Sequence, residues 1–173
     1  MDVEDDQSPE EGLESREPSV GDLADLCRSL NERGAKYLVV GGFAIRSAGY
    51  LRATMDIYLV IDVALENEAK VYDALRTLPD RAVDELEAGD VDRFTVVRIA
   101  DEIVVDLMKS ASGIDYEEAS KEVIVREVNG VSIPFASEAL LWRMKRTTHR
   151  EKDAGDLLFL RQQFEARGES PPD

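Results

Sequence analysis

The chain holds one cysteine, one histidine, one tryptophan and six lysines in 173 residues. Each scarcity excludes something. A single cysteine, Cys27, closes no intramolecular disulfide, so the fold rests on its apolar core and suits a reducing compartment, read here as the cytoplasm. Cys27 stands with Leu23, Leu26 and Leu30 at helical spacing, the setting of a packed thiol rather than a nucleophile. There is no run of about 18 apolar residues, which excludes a membrane-spanning helix. The acidic start of the chain lacks the basic-then-apolar order of a secretory signal. Bases are outnumbered, 21 against 37 acids, for a net charge of -16. Such a surface repels nucleic-acid phosphate, so no bulk DNA binding is expected. Six lysines against 15 arginines fit a salt-adapted or high-GC source; plain solubility gives the acidic excess equally well.

What remains is enough for one domain. With 43% hydrophobic residues the chain fills a single core. Met1 to Pro18 carries eight acids against Arg16 and almost nothing apolar, which predicts a disordered acidic tail over 1–18. The folded domain is expected over 19–167, with a flexible end at 168–173.

Periodicity places the elements. Val20 to Arg33 carries an apolar stripe and ends at Gly34, a helix with its stop signal. Tyr37 to Val40 is a short buried strand, and Phe43 to Ala48 a short helix after Gly41-Gly42. Asp56 to Asp62 alternates as a strand, and Leu65 to Leu78 reads as a helix. Phe94 to Ala100 and Ile103 to Met108 read as strands joined at Asp101-Glu102. Tyr116 to Ser120 is a turn or two of helix. Glu122 to Val128 and Val131 to Phe135 flank Asn129-Gly130, a strong hairpin signal. Ser137 to Arg146 and Glu151 to Arg167 are helices, the first capped by Ser137. The order predicts an α/β (α+β) fold, a mixed sheet flanked by helices with a C-terminal helical pair.

Four features bear chemistry. Val39-Val40-Gly41-Gly42-Phe43 runs a strand through paired glycines into a helix, which makes either an anion seat or simply a tight turn. Asp56 opens an apolar strand with Tyr58 on its own face, because side chains alternate; it is a metal ligand or a strand-end acid meeting solvent. Asp106 interrupts the apolar run Ile103 to Met108, a costly position unless the acid is paired, solvated or bound to metal. Should the two strands be neighbours, the carboxylates converge, and convergent carboxylates hold Mg²⁺ or Mn²⁺ for phosphoryl transfer. The last feature is a basic island, Arg143, Lys145, Arg146, Arg150 and Lys152, suited to a triphosphate or an RNA end, or to a solvated helix face.

Taken together, the run G-G-F-A-I-R-S-A-G-Y-L-R-A-T-M-D-I-Y-L-V-I, the later V-D-L, and the L-L-W-R-M-K and R-E-K-D-A-G-D segments resemble the nucleotidyltransferase-fold family of the polymerase-beta-like superfamily. The similarity is to its small prokaryotic minimal and abortive-infection-toxin types, and it extends over roughly Leu23 to Phe164. The resemblance implies that Gly41 and Gly42 hold NTP phosphate, that Asp56 and Asp106 are the catalytic, metal-binding carboxylates, and that Lys145, Arg150 and Lys152 contact phosphate. Asp153 would orient or pack. The implied reaction moves NMP from an NTP to a hydroxyl of RNA, protein or a small molecule.

One departure stands out: Tyr58 occupies the position of the family's second Asp. A neutral phenol, with an ordinary pKa of about 10, is a poor ligand for Mg²⁺. Asp62 shares the face but lies ~13 Å along the strand. A second departure is Ala48, where the family often has His. The single histidine, His149, sits in the basic island as a surface or hydrogen-bonding residue. Against the active transferase stands an impaired homologue that binds a nucleotide or a partner protein, as in a toxin–antitoxin pair.

Overall fold

The computed structural model of the chain describes residues 14–173. The acidic run over 1–13 lies outside them. Residues 14–18 have no regular structure, yet they are tied down: Ser15 Oγ donates to the Asp101 carbonyl at 2.6 Å and the Arg16 N–H to that of Glu102 at 2.9 Å.

Helix α1 (Val20–Glu32) begins in a capping box, in which Ser19 Oγ accepts from the Asp22 N–H while the Asp22 carboxylate accepts from the Ser19 N–H. Its buried stripe contains Leu23, Leu26, Cys27 and Leu30. Burial pushes the Cys27 thiol up to about 12, so it stays protonated packing material. Strand β1 (Tyr37–Val40) is buried throughout and runs directly into α2 (Gly41–Ser47), two residues earlier than the apolar pattern predicts. Then follow β2 (Asp56–Ile61), α3 (Leu65–Leu75), a 3-10 turn (Ala82–Glu85) and α4 (Asp90–Arg93). The second half holds β3 (Val97–Ala100), β4 (Val104–Met108), a small hairpin β5 (Ser110–Ala111) and β6 (Ile114–Asp115), then α5 (Tyr116–Ala119). It closes with β7 (Val123–Val128), β8 (Val131–Ala136), α6 (Glu138–Lys145) and α7 (Glu151–Ala166).

Six strands form one mixed sheet in the order β3-β4-β2-β1-β8-β7. β2 runs parallel to β4 and antiparallel to β1, while β1 runs parallel to β8. The β7–β8 hairpin turns at Asn129-Gly130, both at positive φ (52° and 79°), as the Asn-Gly signal predicts. Alternation in β2 sends Ile57, Leu59 and Ile61 into the core at 0% exposure and leaves Asp56 and Tyr58 on the opposite face.

Residues 79–93, where hydrophobic periodicity predicts no element, are organised by two buried carboxylates, and the strand expected from Phe94 begins only at Val97. Asp101 is fully buried and accepts from the N–H groups of Asp80 (2.9 Å), Ala82 (2.8 Å) and Glu102 (2.7 Å). Glu68, 1% exposed, accepts from the Gly89 and Val91 N–H groups at the start of α4 and from the Tyr72 hydroxyl. Each carboxylate supplies acceptors that the loop backbone lacks, because a buried N–H without a partner is costly. Asp101→Ala orphans three N–H groups at once. We expect it to lower unfolding free energy by roughly 2–5 kcal/mol in urea titration, with Asp101→Asn intermediate because its amide nitrogen accepts nothing.

Candidate functional site

The parallel pairing of β2 with β4 decides what the acids can do. Its register sets Tyr58 beside Asp106 and Asp56 beside Val104. Asp56 and Asp106 therefore share a sheet face on adjacent strands, as the two interrupted apolar runs predict. β3 extends the row, because its register with β4 puts Arg98 opposite Asp106.

Arg98 lies between the two acids. Its Nε donates to Asp106 Oδ1 at 3.0 Å, and its Nη2 donates both to Asp106 Oδ2 at 3.0 Å and to Asp56 Oδ2 at 3.1 Å. The fork on Asp106 is the bidentate geometry that gives guanidinium–carboxylate pairs their strength. Tyr58 completes the group by donating its hydroxyl to Asp56 Oδ2 at 3.1 Å. The phenol is pushed above its ordinary pKa, first by burial and then by its hydrogen bond to Asp56. The neighbouring carboxylates hold the Arg98 guanidinium protonated even more firmly than usual. Exposure differs sharply within the group, with side-chain values of 57% for Arg98, 17% for Asp56 and 1% for Asp106.

Pattern reading passes over Arg98 for a definite reason. A two-residue turn at Asp101-Glu102 would put Val97 opposite Asp106. The actual connection takes in Ile103 as a third residue, so Ala100 pairs with Val104 and Arg98 moves into line. The signal was present in the burial preference of Ile103, which is 1% exposed in the turn rather than paired in the strand.

Beside this group opens a cleft of about 520 Å³. Gly41, Gly42, Asp56, Tyr58, Lys145, Arg150 and Lys152 all line it, so most of the residues expected at a site meet there. Asp106 and Arg98 are not among the lining residues. Both glycines also have a steric reason. Gly41 has φ +73°, and a Cβ there would lie 2.8 Å from the Tyr58 ring, while one on Gly42 would run into Thr54. The tight turn and the cleft wall are thus the same feature.

The basic island divides. Arg143 turns away to Glu118 and Glu122, and Arg146 is exposed. Lys145 is buried and its Nζ lies 3.0 Å from both Asp153 and Asp156. Asp156, fully buried, also accepts a bidentate pair from Arg52 at 2.7 and 2.8 Å. Asp153 accepts from the Thr148 hydroxyl and from Arg150 Nε as well. Arg52 and Asp156 lie inside the two resembling segments, yet only their contacts reveal them as partners. Lys152 makes no ion pair among the described residues, and its ammonium lies 5.9 Å from the centre of the Tyr58 ring. His149, exposed and at φ 58°, has no part in the cleft wall.

This donor set does not fit a pair of divalent ions. Two carboxylates are available, both are already bonded to Arg98, and the third position carries a neutral phenol. Among the described residues no group of three His, Cys, Asp or Glu side chains is placed to hold a metal.

Burial raises the Asp153 carboxyl pKa, but hydrogen bonds from Thr148, Lys145 and Arg150 outweigh it and bring the group down to about 2. A depressed carboxyl stabilises the fold above the unfolded value of about 4 and loses that contribution as pH falls through the folded one. We expect wild-type stability to drop between about pH 4 and pH 2 by this route. Asp153→Asn should flatten that window in acid-unfolding curves and be the less stable protein at pH 7.

No protein-family model and no curated protein sequence matches the chain. Among solved structures it is similar to an antigenic nucleotidyltransferase-like protein from Paracoccidioides brasiliensis, with TM-score 0.51 and 16% identity, covering 87% of this chain and 78% of that one. A candidate nucleotidyltransferase from Thermotoga maritima aligns with TM-score 0.49 and 16% identity over 84% of this chain and 91% of that one. At such identity the likeness is one of architecture, and it agrees with what the sequence motifs imply: the chain has the nucleotidyltransferase fold.

Proposed function

We propose that this protein binds a nucleoside triphosphate in the cleft between β2, α2 and the α6–α7 pair, and that it does so as a binding module rather than as a transferase. The observation that carries the reading is the charge of the cleft. In a chain of net charge -16, its wall presents Arg52, Lys145, Arg150 and Lys152, with Asp56 as the acid that lines it. Asp153 and Asp156 behind the wall pair with the first three bases and leave Lys152 without an ion pair among the described residues. Such a basic concavity attracts phosphate through the repulsive field of the remaining surface.

Its parts divide the work. Lys152 and Arg150, the least enclosed of the four bases, meet the phosphate chain as charge-assisted donors. Arg52 and Lys145, neutralised and held in place by Asp153 and Asp156, offer directed N–H donors at the wall rather than net charge. Gly41 and Gly42 offer backbone without side chains in the way. Val40, Met55, Val96, Met108, Leu141 and Met144 make the apolar part of the wall, and methionine adapts to a flat heterocycle.

A second reading, NMP transfer with Mg²⁺ or Mn²⁺ to a hydroxyl of RNA, protein or a small molecule, is favoured by one observation: Asp56 and Asp106 share a face on adjacent strands. A partner protein seated on the same scaffold is the third use the fold permits. Among the described residues no helix is long and apolar enough to cross a membrane.

Titration with a non-hydrolysable NTP analogue tests the binding. Lys152→Ala should weaken it about three- to tenfold at low salt and much less at high salt, as expected for an exposed charge. Equal affinity at low salt would return Lys152 to a solvated helix face. Incubation with labelled NTP, total RNA and total protein separates the first two readings. The binding module transfers no label, whereas transfer by the wild-type chain that disappears in Asp56→Ala establishes the enzyme instead.

A further inference from the structure

The acids at the candidate centre are already neutralised from within the chain. We infer that Arg98 is the resident cation of this centre, holding the position between Asp56 and Asp106 that a divalent ion takes in a carboxylate-built site, so that ligand binding in the adjoining cleft needs no metal. The use of the site rests on the nucleotide-binding reading; the state of its two carboxylates does not.

Four observations converge. Three hydrogen bonds at 3.0–3.1 Å run from one guanidinium to two carboxylates. The β3–β4 register sets Arg98 directly opposite Asp106, so strand pairing brings its guanidinium within reach of both acids. Asp106 is 1% exposed, and a buried carboxylate requires a partner. Finally, Tyr58 donates to the same Asp56 oxygen that Arg98 reaches, which uses lone pairs a metal would need. A cation bridging the two acids must displace the guanidinium from Asp106, where it holds both oxygens, and compete with it and the Tyr58 hydroxyl for Asp56 Oδ2. Because Arg98 is 57% exposed, its removal takes little packing from the sheet and uncovers the pair.

The experiment uses Mn²⁺ alone, followed by loss of the free-ion resonance, with wild type, Arg98→Ala, and Arg98→Ala combined with Asp106→Asn. The acidic surface supplies the same background in all three. Arg98→Ala should bind one Mn²⁺ about tenfold or more tightly than wild type, the scale of a lost charge-assisted interaction, and Asp106→Asn should abolish the gain. Mn²⁺ should also raise the melting temperature of Arg98→Ala and leave that of wild type unchanged, since an ion that binds only the native state stabilises it. Should Arg98→Ala fold poorly, Arg98→Gln, with one neutral donor, carries the same comparison. Equal Mn²⁺ affinity in wild type and variant overturns the inference. So does nucleotide binding by wild type that vanishes when EDTA replaces Mg²⁺. Absence of nucleotide binding under both conditions counts against the nucleotide-binding reading alone, and the Mn²⁺ comparison still decides the role of Arg98.

Discussion

The cleft depends on Asp156. This fully buried carboxylate receives both Arg52 nitrogens and the Lys145 ammonium, and so ties the segment before β2 to the last residue of α6 and the second turn of α7. Arg52 and Asp156 are 104 positions apart. A buried ion pair of this kind is weak evidence for stability, since desolvation offsets most of the attraction. Its value is geometric. It fixes where two cleft walls stand relative to each other, and removing one partner leaves uncompensated charge in the interior. Asp153 repeats the arrangement one helical turn earlier with Lys145, Thr148 and Arg150. Two acids in i, i+3 relation on α7 thereby anchor three cleft bases and leave Lys152 without an ion pair among the described residues.

Much of this was legible in the sequence because burial writes itself as periodicity. The β2 alternation, the Asn129-Gly130 hairpin and the Ser137-capped helix needed only local rules, and the structure keeps all three. The convergence of Asp56 and Asp106 was legible because an acid in an apolar strand must have a partner. What stayed hidden depends on contacts far apart in the chain. Glu68 and Asp101 look like ordinary surface acids until the loop N–H groups they bind are seen. Arg98 looks like the polar face of an edge strand, and one residue of turn length decides whether it or Val97 meets Asp106. Register is the property that local pattern specifies least well, since a slip of one residue changes every cross-strand neighbour.

Charge explains why the cleft is distinct from its surroundings. The chain carries 37 acids, and many of its bases are spent in pairs on the surface, such as Arg76 with Asp73 and Asp84, or Arg93 with Asp90. Pairs of that exposure add little stability. The bases near β2 are different because they are gathered in a concave, partly apolar setting where screening by water is weaker. Whatever attraction an anion meets at this wall is expected to strengthen as ionic strength falls.

Tyr58 and Arg98 are best understood as one adaptation. With a carboxylate at position 58, three acids would face one guanidinium, and the excess negative charge would call for a metal ion. With a phenol there, two acids face one guanidinium, and the hydroxyl proton satisfies the Asp56 oxygen that Arg98 only partly covers. Without Arg98, Asp106 is left buried and unpaired; with an acid in place of Tyr58, Arg98 alone is too little charge. The ring also occupies space, lying against Gly41 so closely that no side chain fits between them. Position 58, the glycine turn and the edge-strand arginine therefore form a single electrostatic and steric unit, in which exchanging one member alters what the other two must do.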